Sequence, residues 1–338
     1  MLACKGFTRK TRFFVLPCEI RPRRVRCEPD KWLNLNQTGA CIVMKTLIGM
    51  LMLAALAGCE TVPKQVLPFV MAGGQGGGDL YLYDLESGAS RALQKTPDVS
   101  EYDPSINPTS ERVVYVAHTV TDGKAVYRLI IQDLIAGTRE EVLSSRSPLH
   151  TPAFANDSKE IAYVVLRDGK LQIDVKDLTT QGKPKTIGFG SSPSWRVDDI
   201  AIFYSSADTL EAQSGDLMLH EVNSGLNNSF SLRGNAFANL PRGTSVAYTS
   251  LPYTRRNEAV WLLDANGRQK RLTSPGKSHR DSNPVHINGT SFIAFTRTDV
   301  ETNKTSVFVV DRFAEDPVET LLFEASGDAY TSGIELVK

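Results

Sequence analysis

Six short apolar runs, each closed by an acidic residue and a turn, recur along the chain: LYLYDLESG, LIIQDLIAG, IDVKDLTTQG, LMLHEVNSG, VWLLDANG and VFVVDRFAED. Their acids, Asp84, Asp133, Asp177, Glu221, Asp264 and Asp311, stand 49, 44, 44, 43 and 47 residues apart. Val, Leu, Ile and Tyr dominate the runs, which predicts strands, and most are followed by a Gly-containing turn and a second, more polar strand such as SRALQ or QKRLT. A second landmark keeps the same phase. Aromatic residues close the β-like runs RVVYV, EIAYVV, AIFYSS, SVAYTS and FIAFT at Tyr115, Tyr163, Tyr204, Tyr248 and Phe295. Eleven residues before four of them stands a proline: Pro104, Pro152, Pro193 and Pro284. In the remaining repeat Asn235 takes the proline's place, with a two-residue insertion in the turn.

Each repeat therefore predicts four strands: one after the proline, one ending at the aromatic residue, one ending at the acid and one after the glycine turn. Four-stranded units of about 40 to 50 residues are propeller blades. The expected fold is all-β, a six-bladed propeller over residues 66–338. The chain's ends supply its closure. LPFVMA, LYLYDL and SRALQ form the last three strands of a blade that lacks its first, and SGIELVK, residues 332–338, is a strand without partners. Pairing the two ends completes the sixth blade and covers a sheet edge.

Upstream of the repeats the pattern changes. Met44 and Lys45 precede an apolar run from Leu47 to Ala57, which ends in Leu56-Ala57-Gly58-Cys59. Its eleven residues are too few to span a bilayer, which takes about twenty, but they have the positive start, short apolar core and small residues of a secretory signal. Leu56-Ala57-Gly58-Cys59 resembles the lipobox of bacterial lipoproteins. The resemblance implies that Met44 is the initiator, that residues 1–43 lie upstream of the true start, and that 44–58 are a signal cut before Cys59. Cys59 would then carry a diacylglycerol, with 59–65 as a tether. Glu60, where lipoproteins retained in the inner membrane often carry Asp, favours the outer membrane, facing the periplasm.

Charge and cysteines divide the chain at the same point. Lys and Arg number 38 and Asp and Glu 38, but ten of the former and three of the latter precede Cys59, leaving 28 against 35, a net charge of −7. An acidic body excludes a nucleic-acid partner, because phosphate binding relies on clustered cations. All five cysteines (Cys4, Cys18, Cys27, Cys41 and Cys59) lie in the first 59 residues, so no disulfide staples the repeats. The first four are 14, 9 and 14 residues apart and contain no Cys-x-x-Cys pair, which argues against zinc.

Three turns after the prolines, PSINPTSER, PAFANDSKE and PSWRVDD, keep the proline, an apolar residue two positions later and a polar turn. They resemble the TolB-type propeller repeat, whose inner strand opens with Pro-x-Trp-Ser-Pro-Asp-Gly, although that Trp-Ser-Pro-Asp-Gly core is intact in none. The resemblance covers residues 66–338. It implies partners among peptidoglycan-associated lipoproteins or related Tol-Pal-like envelope machinery. TolB also carries a smaller α/β domain before its propeller, for which there is no room between Cys59 and Val66.

Candidate chemistry is sparse. AGGQGGG satisfies neither Gly-x-Gly-x-x-Gly nor a Walker sequence and is expected to be a hairpin between the second and third strands of the closing blade. His118, His150, His220, His279 and His286 include no His-Glu-x-x-His pair. His286 occupies the slot of Ile106, Phe154, Trp195 and Phe237, which predicts packing between blades; Trp195 is expected in the core for the same reason. His150 and His279 are expected in connections leading to inner strands. The six repeated acids suit turn entries, where Asp accepts local backbone bonds, and they lack the Gly-Asp repeats of calcium-binding β-rolls. Without a Gly-x-Ser-x-Gly elbow there is no serine nucleophile. No catalytic residue, metal or cofactor is therefore expected.

The binding residues are sought in loops. LPYTRRNEA places Tyr253, Arg255 and Arg256 between the second and third strands of its repeat, and the following inter-blade segment SPGKSHRDSN contributes His279, Arg280 and Asp281. Tyr and Arg are favoured at interface hot spots. The expected function is a lipid-anchored platform for envelope proteins, attached to the membrane through its lipid; the alternative is a channel-mouth site for a glycan or small molecule, with or without lyase or hydrolase activity.

Overall fold

Alternating side chains put every second residue of a strand on one face, so the apolar runs pair into sheets that bury both faces against neighbouring sheets. The computed structural model describes residues 18–21, 24–27, 65–72, 78–210, 212, 215–234, 237–239, 245–250, 258–264, 266–324 and 329–330. The chain divides into two units, Met1–Thr61 and Val62–Lys338. In the first, β1 (Cys18–Arg21) and β2 (Arg24–Cys27) form an antiparallel ribbon with Cys18 opposite Cys27. Met44 through Cys59, the expected signal and lipidation site, lie outside the described residues.

The second unit is a β-propeller of six four-stranded antiparallel sheets. Its first blade is β6 (Val99–Ile106), β7 (Arg112–Thr121), β8 (Lys124–Asp133) and β9 (Arg139–Ser145). The second is β10 (Leu149–Phe154), β11 (Glu160–Arg167), β12 (Lys170–Asp177) and β13 (Lys185–Phe189). The third is β14 (Ser191–Trp195), β15 (Ala201–Ser205), β16 (Gly215–Glu221) and β17 (Asn227–Gly234). The fourth is β18 (Phe237–Asn239), β19 (Val246–Ser250), β20 (Ala259–Leu263) and β21 (Gln269–Arg271). The fifth is β22 (His279–His286), β23 (Phe292–Asp299), β24 (Thr305–Asp311) and β25 (Glu319–Glu324).

The sixth blade joins the two ends of the unit. Its strands are β3 (Val66–Ala72), β4 (Gly78–Asp84) and β5 (Ala89–Gln94), with β26 (Ala329–Tyr330) as the first strand. Ala329 pairs with Met71 and Tyr330 with Val70, so the C-terminal strand covers the edge of β3 as expected. The expected closing stretch, 332–338, lies outside the described residues.

The core consists of the contacts between blades. Tyr115, Tyr163, Tyr204, Tyr248 and Phe295, the repeated aromatic residues, are all buried. Tyr115 packs with Val70 and Leu80 of the closing blade, Tyr163 with Leu129 and Ile131, and Phe295 with Ala247 and Val260. Trp195 is 1% exposed and donates Nε1–H to the Ala153 carbonyl (3.1 Å), linking the third blade to the second.

Two features correct the sequence analysis. The proline does not open the first strand of a blade; it lies inside it. Register breaks occur between Tyr102 and Ser105, His150 and Ala153, Ser191 and Ser194, and Ser282 and Val285. The residues before the prolines, Asp103, Thr151, Ser192 and Asn283, have φ of 52°, 42°, 53° and 49°. Proline has no N–H to give the ladder, and a bulge puts it where the ladder is already interrupted. The second correction concerns the fourth repeat. Phe237 pairs with Tyr248 and Asn239 with Val246, just as Ser105 and Ile106 continue the register opposite Val114 and Val113 in the first blade. Phe237, eleven residues before Tyr248, therefore holds the proline's place, and the inferred insertion after Asn235 disappears.

Candidate partner-binding face

Antiparallel strands bring the hairpins between second and third strands, and the connections between blades, out at the same end of the propeller. The N–H of Asp281 donates to the Glu258 carbonyl (3.0 Å), where the chain enters β20, and the N–H of Val300 donates to the Ser278 carbonyl (2.7 Å). The segment 272–278 thus leads into a strand start tied to Glu258 of the fourth blade and to the β23–β24 turn of the fifth. Tyr253, Arg255 and Arg256 lie outside the described residues. Glu258, the next described residue after them in the chain, accepts the Asp281 N–H of β22, the strand that carries the other three candidates.

Those three do not lie in a loop, as the sequence predicts, but open β22. Alternation puts Arg280 on one side of the strand and His279 and Asp281 on the other. Arg280 is exposed, His279 is partly exposed and accompanied by Asp299 (3.8 Å) and the Ser278 hydroxyl (3.1 Å), and Asp281 is fully buried. Asp281 accepts two bonds from Arg297, at 2.7 and 2.8 Å, and Arg297 donates a third to Glu319 at 2.7 Å. The guanidinium lies over the rings of Phe295 (5.5 Å) and Phe308 (4.9 Å). Burial works against the Arg297 charge, but the bonds it donates to both carboxylates outweigh it and hold its pKa above the ordinary arginine value. Asp281 is therefore held inside the fifth blade, while Arg280 is open to solvent and His279 partly so.

His150 likewise lies in a strand, β10, rather than a connection, with Nδ1 3.7 Å from the buried Asp103 carboxylate. That carboxylate also accepts the Thr151 N–H (2.9 Å), tying the bulges of the first two blades together. The two acid–histidine pairs, Asp103–His150 and His279–Asp299, went unseen in the sequence because their members are 47 and 20 residues apart. Strand register brings His279 and Asp299 together, and packing of the second blade on the first does the same for Asp103 and His150. His286 is buried in its expected packing slot, where desolvation lowers its pKa to about 4 and Nε2 meets the Thr290 carbonyl at 2.9 Å. It is neutral at physiological pH.

The repeated acids occupy turn entries. Asp84 accepts the N–H groups of Glu86 and Ser87, Asp133 those of Ile135 and Ala136, and Asp264 those of Asn266 and Arg268. Backbone bonds from Ala136 and Ile135 lower the Asp133 pKa. Among the described residues, no group of three His, Cys, Asp or Glu side chains is placed to hold a metal ion. The Gly-rich segment joins β3 to β4, the second and third strands of the closing blade. Its last glycine, Gly78, is needed for close approach, since a Cβ there would stand 2.6 Å from the Glu101 carbonyl oxygen.

No protein-family model matches the chain. Over 89 residues it is 30% identical to the Tol-Pal system protein TolB of Ruthia magnifica subsp. Calyptogena magnifica, a match covering 25% of this chain and 21% of that protein. The chain thus spans about a fifth of the curated relative's length. TolB from Acinetobacter baumannii superposes with a TM-score of 0.63 at 17% identity, over 85% of this chain and 70% of that one. The putative TolB from Agrobacterium tumefaciens gives 0.56 at 13% identity, over 80% and 97%. The β-propeller domain of the Trilobed protease from Pyrococcus furiosus gives 0.52 at 12%, over 78% and 96%. The fold class is a six-bladed β-propeller. Within that class its architecture is TolB-like.

Proposed function

We propose that this chain is a lipid-anchored propeller of the bacterial cell envelope, held on the outer membrane and facing the periplasm, where it serves as a rigid platform for protein partners. The observation that carries this reading is the TolB-like propeller, which follows directly on the lipobox-like Leu56-Ala57-Gly58-Cys59. Synthesis from Met44, cleavage after Gly58 and acylation of Cys59 would leave residues 59–65 as a tether and 66–338 as the working body. The TolB likeness points to peptidoglycan-associated lipoproteins of Tol-Pal-like machinery as partners. Arg280 and His279 would contact them together with Tyr253, Arg255 and Arg256, while Asp281 supports the strand from inside. No residue is assigned a catalytic role.

Crosslinking in intact cells, followed by affinity capture, tests this reading. A recurrent envelope lipoprotein is the expected product, and turnover of a glycan by the purified protein with no captured partner would overturn it. Replacing Tyr253 and Arg256 together by Ala should weaken capture at least tenfold, a loss of about 1.4 kcal/mol or more, without shifting the melt. Undiminished capture would remove this hairpin from the interface.

A further inference from the structure

The first and fifth blades share a scaffold but fill it differently. Asp281 and Glu101 each stand three residues before the bulge proline, Pro284 or Pro104. Opposite them in the register are Arg297 and Ala117, each two residues after the buried aromatic residue, Phe295 or Tyr115. On the third strand Phe308 faces Phe295, and Ile130 faces Tyr115. In the fifth blade the guanidinium of Arg297 thus has an aromatic seat and a buried carboxylate partner. The first blade keeps the ring and the carboxylate but has only a methyl group where the arginine would be.

A cleft of about 320 Å³ occupies this side of the first blade, lined by Thr96, Glu101, Tyr115, Ala117, Arg128 and Arg139 among others. Glu101 is 2% exposed, and its Oε2 has no hydrogen-bond partner among the described residues. An unpaired buried carboxylate oxygen is costly, so a native one calls for a partner. The cleft's own cations are engaged elsewhere. Arg128 faces Glu141 (3.3 Å) and donates to the Thr119 hydroxyl (2.9 Å), and Arg139 donates to Gln94 Oε1 (2.9 Å) and bonds the Tyr115 hydroxyl. With Glu140 and Glu141 also in the lining, ionised Glu101 makes three negative charges against two positive ones, leaving room for one more cation.

We propose that this cleft binds a guanidinium group, free or borne by a peptide arginine, stacked on Tyr115 and donating to the Glu101 carboxylate as Arg297 donates to Asp281. A planar group with a fork of N–H donors suits a carboxylate beside an aromatic ring better than a compact ammonium does, and the volume lies in the range of small-ligand sites.

Calorimetric titration of the full propeller with agmatine, and separately with a blocked peptide bearing one arginine, tests the proposal. Wild-type protein should bind agmatine, and Glu101→Gln should weaken that binding at least tenfold. Ala117→Arg places a guanidinium in the cleft from within the blade and should abolish binding while leaving the melt unchanged or raised. Binding of agmatine alone identifies a free small molecule as the source, and binding of the peptide as well identifies a presented arginine. Absence of binding by either probe up to about 10 mM, a very weak affinity, overturns the proposal, as does agmatine binding that Glu101→Gln leaves intact. If Ala117→Arg does not fold, Glu101→Gln decides.

Discussion

Glu101 shows how one side chain couples fold and solvent. Burial raises its pKa from 4.5 to about 7; the Asp79 carboxylate adds to the shift, while the Thr96 bond and Arg139 oppose it. Lys95, near Asp79, and Arg128, Glu140 and Glu141 around the cleft complete its charged surroundings. Between those two values the folded chain binds more protons at this site than the unfolded chain does. Its contribution therefore favours folding most at low pH and declines as pH rises through that window, levelling off above it. Glu101→Gln should remove this slope and make the protein about 3 kcal/mol more stable at pH 8 than the wild type. Urea unfolding at pH 5 and pH 8 checks this, and an unchanged slope in the variant would contradict it. Trp195 and the turn-entry acids were legible in the sequence, because burial of a repeated apolar slot and capping of a turn are local matters. Burial of Asp281 was not, because its Arg297 partner is 16 residues away and only the register reveals the pair.

At the scale of the strand, alternation and turn chemistry made nearly every element legible, since each blade is four short strands joined by local turns. What the sequence concealed was the bulge. A proline looks like a strand start, yet a left-handed residue before it lets the strand run on through it. In the fourth repeat Phe237 replaces that proline, which hid the conserved spacing of eleven residues. Closure is fastened by hydrogen bonds as well as by apolar packing of the closing blade on the fifth. β26 covers β3, and the Asn288 amide of the fifth blade reaches over to the Asn107 carbonyl (2.8 Å) and Ser110 hydroxyl (3.1 Å) of the first. Deleting residues 329–338 should leave β3 as a bare edge and lower the melting temperature by about 10 °C, corresponding to a loss of a few kcal/mol. A melt equal to that of the intact chain, followed by circular dichroism, would rule out closure by the C-terminal strand.

At the scale of the whole molecule, the ring was visible because period and strand count were. The proposed binding residues were visible only in part. Loops are polar whether or not they bind, so Tyr253, Arg255 and Arg256 had to be chosen by residue type, whereas the fold itself places His279 and Arg280 at the start of β22. Fold does not assign function, and the envelope role depends on where the propeller is anchored. Mass spectrometry of the mature amino-terminal peptide from isolated membranes tests that most directly. The account predicts a chain beginning at a diacylated Cys59; an unmodified chain beginning at Met1 would contradict both the anchor and the envelope role.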